Sequence, residues 1–171
     1  MIQSVNPTPT DETDGLPMPR RIWAVISVGF ALCMSVLDVN IINIVLPTLS
    51  HDFGTSPAVT TWIINGYQLA IVVSLLSFSA LGEIIGYRKV YLSGIGLFCI
   101  TSLICALSDS FWTLTIARIF QGFSASAITS VNTAQLRYIY PKSQLGRGMG
   151  INAMVVAISA AAGPVSYTHL T

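Results

Sequence analysis

The fold class predicted for this 171-residue chain is an all-α membrane protein with five transmembrane helices. Three observations carry that expectation. Only 9% of the residues are charged and 53% are hydrophobic, whereas a soluble domain carries about 25% charged residues, so the polar surface is too small to cover a water-soluble globule. The apolar residues gather into five runs, each close to the roughly 20 residues that span a bilayer. The basic residues sit before the first run and in alternate connections, the pattern that fixes the orientation of membrane helices.

Residues 1–19 (MIQSVNPTPTDETDGLPMP) are polar, acidic and proline-bearing, and are expected to form a disordered tail. The transmembrane part is expected to cover residues 20–164. Its first run, 22–49, is far longer than the roughly 7–15 apolar residues of a signal peptide and lacks a small-residue cleavage site, so it is an anchor. The second run is 57–81, where Ser56 can cap the helix and Pro57 stands at the first helical position. The third run is 90–107, and the fourth is 111–135 with Ser110 as its cap. The fifth runs from 148 to the end of the chain. Trp23, Trp62 and Trp112 lie near expected helix starts, as interfacial anchors do.

Arg20, Arg21, Arg88, Lys89, Arg137, Lys142 and Arg147 fall on one side of this arrangement, while the other two connections hold no lysine or arginine. That side is expected to be cytoplasmic, with the N-terminus inside and the chain multi-pass in the cell (inner) membrane. The remaining basic residue, Arg118, lies within the fourth run (TLTIARIFQGFSASAITS). It follows the start of that helix by about six residues, or roughly 9 Å. Asp38, the one acid in the core of the first run, lies about 24 Å from the start of its helix, which leaves it roughly 6 Å from the opposite boundary of a 30 Å core. The two charges are thus expected at similar depths on antiparallel helices. One reading is helix glue. The other is a polar transport pathway in which Asp38 titrates, because intramembrane ionisable groups usually mark pathways and arginine does not release its proton.

Asn40, Asn43 and Pro47 share a helical face away from Asp38, and the amides could bond across helices or line a cavity. Gly122, Ser126 and Ser130 continue the Arg118 face at four-residue steps and are expected to serve close helix packing. Cys33, Cys99 and Cys105 lie in apolar runs and form neither a metal spacing nor a disulfide framework. GRGMG at 146–150 lacks the preceding strand of a phosphate loop, and His51-Asp52 has no accompanying nucleophile. No catalytic residues, metal or cofactor are implied, and a net charge of +1 does not point to nucleic acid. An intramembrane enzyme is therefore the different-class alternative, without a constellation of residues to support it.

Four stretches resemble motifs of the major facilitator superfamily, in particular its drug:proton antiporter branch with fourteen helices. LDVNIINIVLP (37–47) is similar to the branch's first-helix signature, and LGEIIGYRK (81–89) to the superfamily's loop motif. ARIFQGFSA (117–125) is similar to the fourth-helix motif, with Arg118, Gln121 and Gly122 in its key places. AAAGPV (160–165) is similar to the start of the antiporter motif, through Gly163 and Pro164. The resemblance implies part of the N-terminal helical bundle of a proton-coupled exporter of drugs or toxic compounds, with lipid, protons and an amphipathic or hydrophobic small molecule as partners. A symporter for sugars or metabolites is the alternative within the superfamily.

On that resemblance, Arg118 and Asp38 couple protons to transport, and Glu83, Gly86 and Arg88 belong to a cytoplasmic latch. Ile84 and Tyr87 stand where the loop motif is commonly basic, which implies a latch that is weaker or wired differently. Tyr167 and Thr168 replace the glycine pair that normally follows Gly-Pro. The ending VSYTHLT (165–171) matches the translation of a common sequencing adapter and is expected to be a non-native tail on a truncated gene. Five helices do not enclose a transport cavity, so the fragment is expected to be inert alone.

Overall fold

The computed structural model describes residues 15–168, with side chains to residue 161. Five helices follow one another: α1 (Met18–Asp52), α2 (Pro57–Ile85), α3 (Tyr87–Ala106), α4 (Phe111–Ile139) and α5 (Leu145–Thr168). A 3-10 turn, Lys142–Gln144, leads into α5, and no strand occurs among the described residues. Ser56 Oγ accepts from the Val59 amide at 3.4 Å and Ser110 Oγ from the Thr113 amide at 3.3 Å, so both expected caps form. At Gly86, φ is +99°, a conformation that suits glycine and allows α2 to turn into α3 through a single residue.

The helices run past the apolar segments that announce them. α1 begins at Met18 and ends at Asp52, and α4 continues to Ile139. Residues 15–19, expected within the tail, belong to the fold. The Leu16 amide donates to the Ile139 carbonyl at 3.2 Å, satisfying one of the carbonyls that a helix leaves open at its C-terminus. Arg21 fastens the same corner, donating from Nε to the Leu16 carbonyl at 3.1 Å and from Nη1 to Gln144 Oε1 at 3.0 Å. Residues 1–14, the rest of the expected tail, and 169–171, the last of the expected non-native end, lie outside the described residues.

α1, α2 and α3 are long and apolar enough to cross a membrane by themselves. α4 was expected to span as well, and composition alone does not qualify it. For α4 the reason is its position. It packs against α1, α2, α3 and α5, so Arg118, Gln121, Ser124, Ser126 and Asn132 are buried in protein. Large apolar side chains point the other way: Val72, Leu76 and Ile84 are 71%, 80% and 81% exposed. A bundle that is polar within and apolar without suits lipid as its solvent.

Small residues let the helices approach. A Cβ on Gly122 would lie 2.5 Å from the Tyr67 carbonyl oxygen and 2.9 Å from Ala70 Cβ, and one on Gly94 would lie 3.1 Å from Ala127 Cβ. One step along the Gly122 row, Ser126 Oγ donates to the Ile71 carbonyl at 3.2 Å, tying α4 to the backbone of α2. The row is a packing row, as expected. Ser130, its last member, donates within its own helix to Ala127 at 3.2 Å. Gly122→Ala is accordingly expected to lower stability by about 1–3 kcal/mol through overpacking. Gly150→Ala, with nothing within 4 Å of the new methyl, is expected to leave it unchanged or slightly raised. Thermal unfolding in detergent checks the contrast.

Candidate functional site

Four helices converge on one polar cluster. Asp38 projects from α1 toward α4, where Arg118, Gln121 and Gly122 share a face because residues three and four apart stack along a helix. Arg118 Nη1 donates to Asp38 Oδ2 at 2.7 Å, with the two side chains 7% and 18% exposed. Gln121 Nε2 donates to the other oxygen of Asp38 at 3.1 Å and also to Ser102 Oγ of α3 at 2.8 Å. Cys105 Sγ, one turn further along α3, donates to Gln121 Oε1 at 3.6 Å. From α2, the Tyr67 ring lies 5.9 Å from the Arg118 guanidinium carbon, close enough for cation–π attraction. Arg118 Nε is buried and has no hydrogen-bond partner among the described residues.

This geometry answers the problem of a cation in an apolar run. A lone arginine at the centre of a membrane helix is unfavourable by about 2.5–3.5 kcal/mol. Here a charge-assisted bond to Asp38 and the face of Tyr67 replace the lost water. The depth estimate from the sequence brought the two charges to one level, and they meet. Gln121 was expected as a motif residue and is the bridge between the pair and α3. Gly122 acts indirectly, by letting α2 come close enough to set Tyr67 over Arg118. Beside the cluster is an open cavity of about 390 Å³, its lining including Asp38, Ile42, Phe53, Ser102, Leu114 and Arg118.

The remaining candidates stand apart. Asn43 is exposed and its Nδ2 donates to the Val39 carbonyl of its own helix at 2.9 Å. Asn40 is half-buried, and neither amide lines the cavity beside Asp38. Glu83, Gly86 and Arg88 line a second cavity of about 880 Å³ near the basic end of the bundle, together with Arg20, Tyr91 and Gln135. Among the described residues, Glu83 and Arg88 form no ion pair with each other. At that corner the contact is aromatic. A Cβ on Gly82 would lie 2.7 Å from the Tyr87 ring, and Tyr87 faces Tyr138 of α4 at 6.1 Å between centroids. Tyr87, which departs from the commonly basic motif, thus joins the α2–α3 turn to α4. Gly163 and Pro164 continue α5, and their surroundings lie outside the described residues. His51 and Asp52 end α1, exposed and 3.7 Å apart, rather than occupying a loop.

Tyr67, Ser102 and Cys105 were not anticipated as partners of the charge pair. The spacing of Ser102 and Cys105, three apart and so on one helical face, was the available signal.

A buried acid–base pair held between antiparallel helices, beside open cavities in an apolar-faced bundle, defines a multi-pass membrane protein with an ionisable centre inside the bundle. A family model for the Major Facilitator Superfamily matches residues 28–171, and the chain belongs to that family. It is 52% identical to an uncharacterized transporter, YebQ, of Escherichia coli over 91% of the chain and 34% of that protein. It is 33% identical to the riboflavin transporter RibZ of Clostridioides difficile over 85% of the chain and 32% of that protein. The drug efflux pump JefA of Mycobacterium tuberculosis is 31% identical over 84% of the chain and 28% of the pump. The chain spans about a third of the length of these curated relatives.

Removing one member of the pair is expected to harm the fold more than removing both. Asp38→Ala strands a buried cation and is expected to destabilise by about 3–5 kcal/mol, and Asp38→Ala/Arg118→Met by clearly less. Unfolding or limited proteolysis of the variants in detergent measures the difference.

Proposed function

We propose that this chain is the N-terminal part of a proton-coupled efflux transporter for small amphipathic or hydrophobic compounds. The observation that carries the reading is the Asp38–Arg118 pair, buried yet bordered by a cavity. With Asp38 ionised, its attraction to Arg118 holds α1 against α4. When Asp38 takes a proton its charge is lost, the ionic bond to the guanidinium becomes a weaker hydrogen bond to a neutral acid, and the two helices are freer to move apart. A proton entering on one side of the membrane is thereby exchanged for a change in helix packing, which is the coupling an antiporter needs. The basic connections lie on the cytoplasmic side in this reading, as the positive-inside pattern implies. Glu83, Gly86 and Arg88 then sit at the cytoplasmic end, where a charged latch would form only after a rearrangement. Gly163 and Pro164, half of an antiporter motif, agree with an exporting direction.

Relatives named for export support the substrate class. Besides the pump above, the tetracenomycin C resistance and export protein of Streptomyces glaucescens is 34% identical over 92% of the chain. The similarity to a protein named as a riboflavin transporter favours a second reading, a carrier of a metabolite, in which the same pair couples protons to a polar substrate.

In a full-length transporter carrying this chain, Asp38→Asn is expected to abolish dye efflux driven by a pH gradient while membrane insertion persists. Efflux at the parent rate would remove Asp38 from the proton site. Arg118→Lys keeps the charge but loses the planar fork, and is expected to leave under a tenth of parent efflux.

A further inference from the structure

We propose that α3 is part of the proton-coupling machinery, with Ser102 as the positioning residue that holds the Gln121 amide against Asp38. This rests on the reading of Asp38 as the proton site. A glutamine side chain has two donor hydrogens on nitrogen and one acceptor oxygen. Gln121 uses all of them: one hydrogen goes to Asp38 Oδ1 at 3.1 Å, the other to Ser102 Oγ at 2.8 Å, and the oxygen accepts from Cys105 Sγ at 3.6 Å. Two of these three partners stand on α3. Through Ser102 and Cys105, α3 therefore sets the orientation of a group bonded to the charge pair.

The donors and acceptors also fit both protonation states. An ionised carboxylate only accepts, so it requires the amide nitrogen. When hydronium gives its proton to Asp38 Oδ1, one hydronium O–H bond breaks and water is left, and the new hydroxyl is a donor that requires the amide oxygen. The Gln121 amide meets the demand by rotating half a turn. Ser102 follows, because a hydroxyl can donate or accept and needs only to turn its O–H. Cys105 follows more weakly, as a thiol does. No bond other than the arriving O–H is made, and no charge but that proton's is moved. Alanine at 102 would leave the amide without its firm support in either state. Threonine would keep it.

The test is an infrared pH titration of the protonated-carboxyl band, on the 171-residue chain in lipid vesicles. Asp38→Asn identifies which band belongs to Asp38. The amide's bond to the ionised carboxylate is charge-assisted and stronger than its bond to the neutral acid, so loosening it costs the ionised form more. Ser102→Ala is therefore expected to move the Asp38 midpoint upward by about half to one pH unit, a three- to tenfold change in proton affinity. Ser102→Thr is expected to titrate with the parent. Ser102→Cys, with its weaker hydrogen bonds, should fall between them and serves in place of the alanine variant if that one fails to insert. Gln121→Leu should shift the midpoint at least as far, and adding Ser102→Ala to it should shift it no further, since serine acts through the amide. A Ser102→Ala midpoint equal to the parent's, a threonine variant that behaves as alanine, or additive shifts in the double variant would each overturn the proposal. If the serine variants are silent while Asp38→Asn still abolishes efflux in the full-length transporter, α3 is excluded and Asp38 keeps its role. If no band is lost in Asp38→Asn across the titration, the underlying reading fails and this proposal with it.

Discussion

A guanidinium that remains charged has to be solvated by something, and in this bundle protein does the work that water does elsewhere. Arg118 sits 6% exposed within a helix otherwise rich in apolar and small residues. Its carboxylate partner comes from α1, its aromatic face from α2, and its own helix supplies Gln121, which draws in two side chains of α3. One charge thereby relates four helices. The requirement is local, but its consequence is the mutual depth and rotation of the whole group.

The same requirement explains the division of labour among the helices. α1 to α3 carry their apolar residues outward and can enter a bilayer on composition. α4 carries arginine, glutamine, asparagine and serines, and is stable in a membrane only where neighbours cover them. It therefore packs centrally, and glycines are found where its neighbours come closest: Gly122 against α2 and Gly94 of α3 against α4. Close approach and polar satisfaction depend on each other. Without Gly122 the Tyr67 backbone could not come so near, and without that approach the Tyr67 ring would not cover the guanidinium.

Much of this was readable from the residues in order. Apolar length locates membrane helices because the bilayer sets a fixed span, and the rise of 1.5 Å per residue was enough to bring Asp38 and Arg118 to the same level. Depth is a one-dimensional quantity, so counting recovers it. Rotation and neighbourhood are not. Which face of α3 meets α4 depends on how side chains pack between helices, so Ser102 and Cys105 did not declare themselves, and Cys105 read simply as one cysteine in an apolar run. Tyr87 shows the same limit from the other side. As a departure from a motif it implied a weaker latch, whereas in space it fills the gap above Gly82 and reaches Tyr138. The helix ends at Met18 and Ile139 were also hidden, because hydrogen bonding from Leu16 and Arg21, rather than hydrophobicity, secures that corner.

The way Arg118 and Asp38 touch bears on what the pair is for. An arginine can grip a carboxylate with two parallel bonds, the arrangement that gives most strength and most geometric definition. Here the carboxylate is shared: one oxygen takes Nη1 and the other takes the Gln121 amide, while Nε finds no partner among the described residues. A purely structural clamp gains from the bidentate form, and a buried group left unsatisfied weakens it. A pair meant to part gains from the divided form. Protonating Asp38 then undoes one ionic contact rather than a fork, the amide can turn to meet the new hydroxyl, and the unsatisfied Nε gives the freed arginine a direction in which to find its next partner. On the function proposed, the imperfection of the contact is what lets a single proton move it.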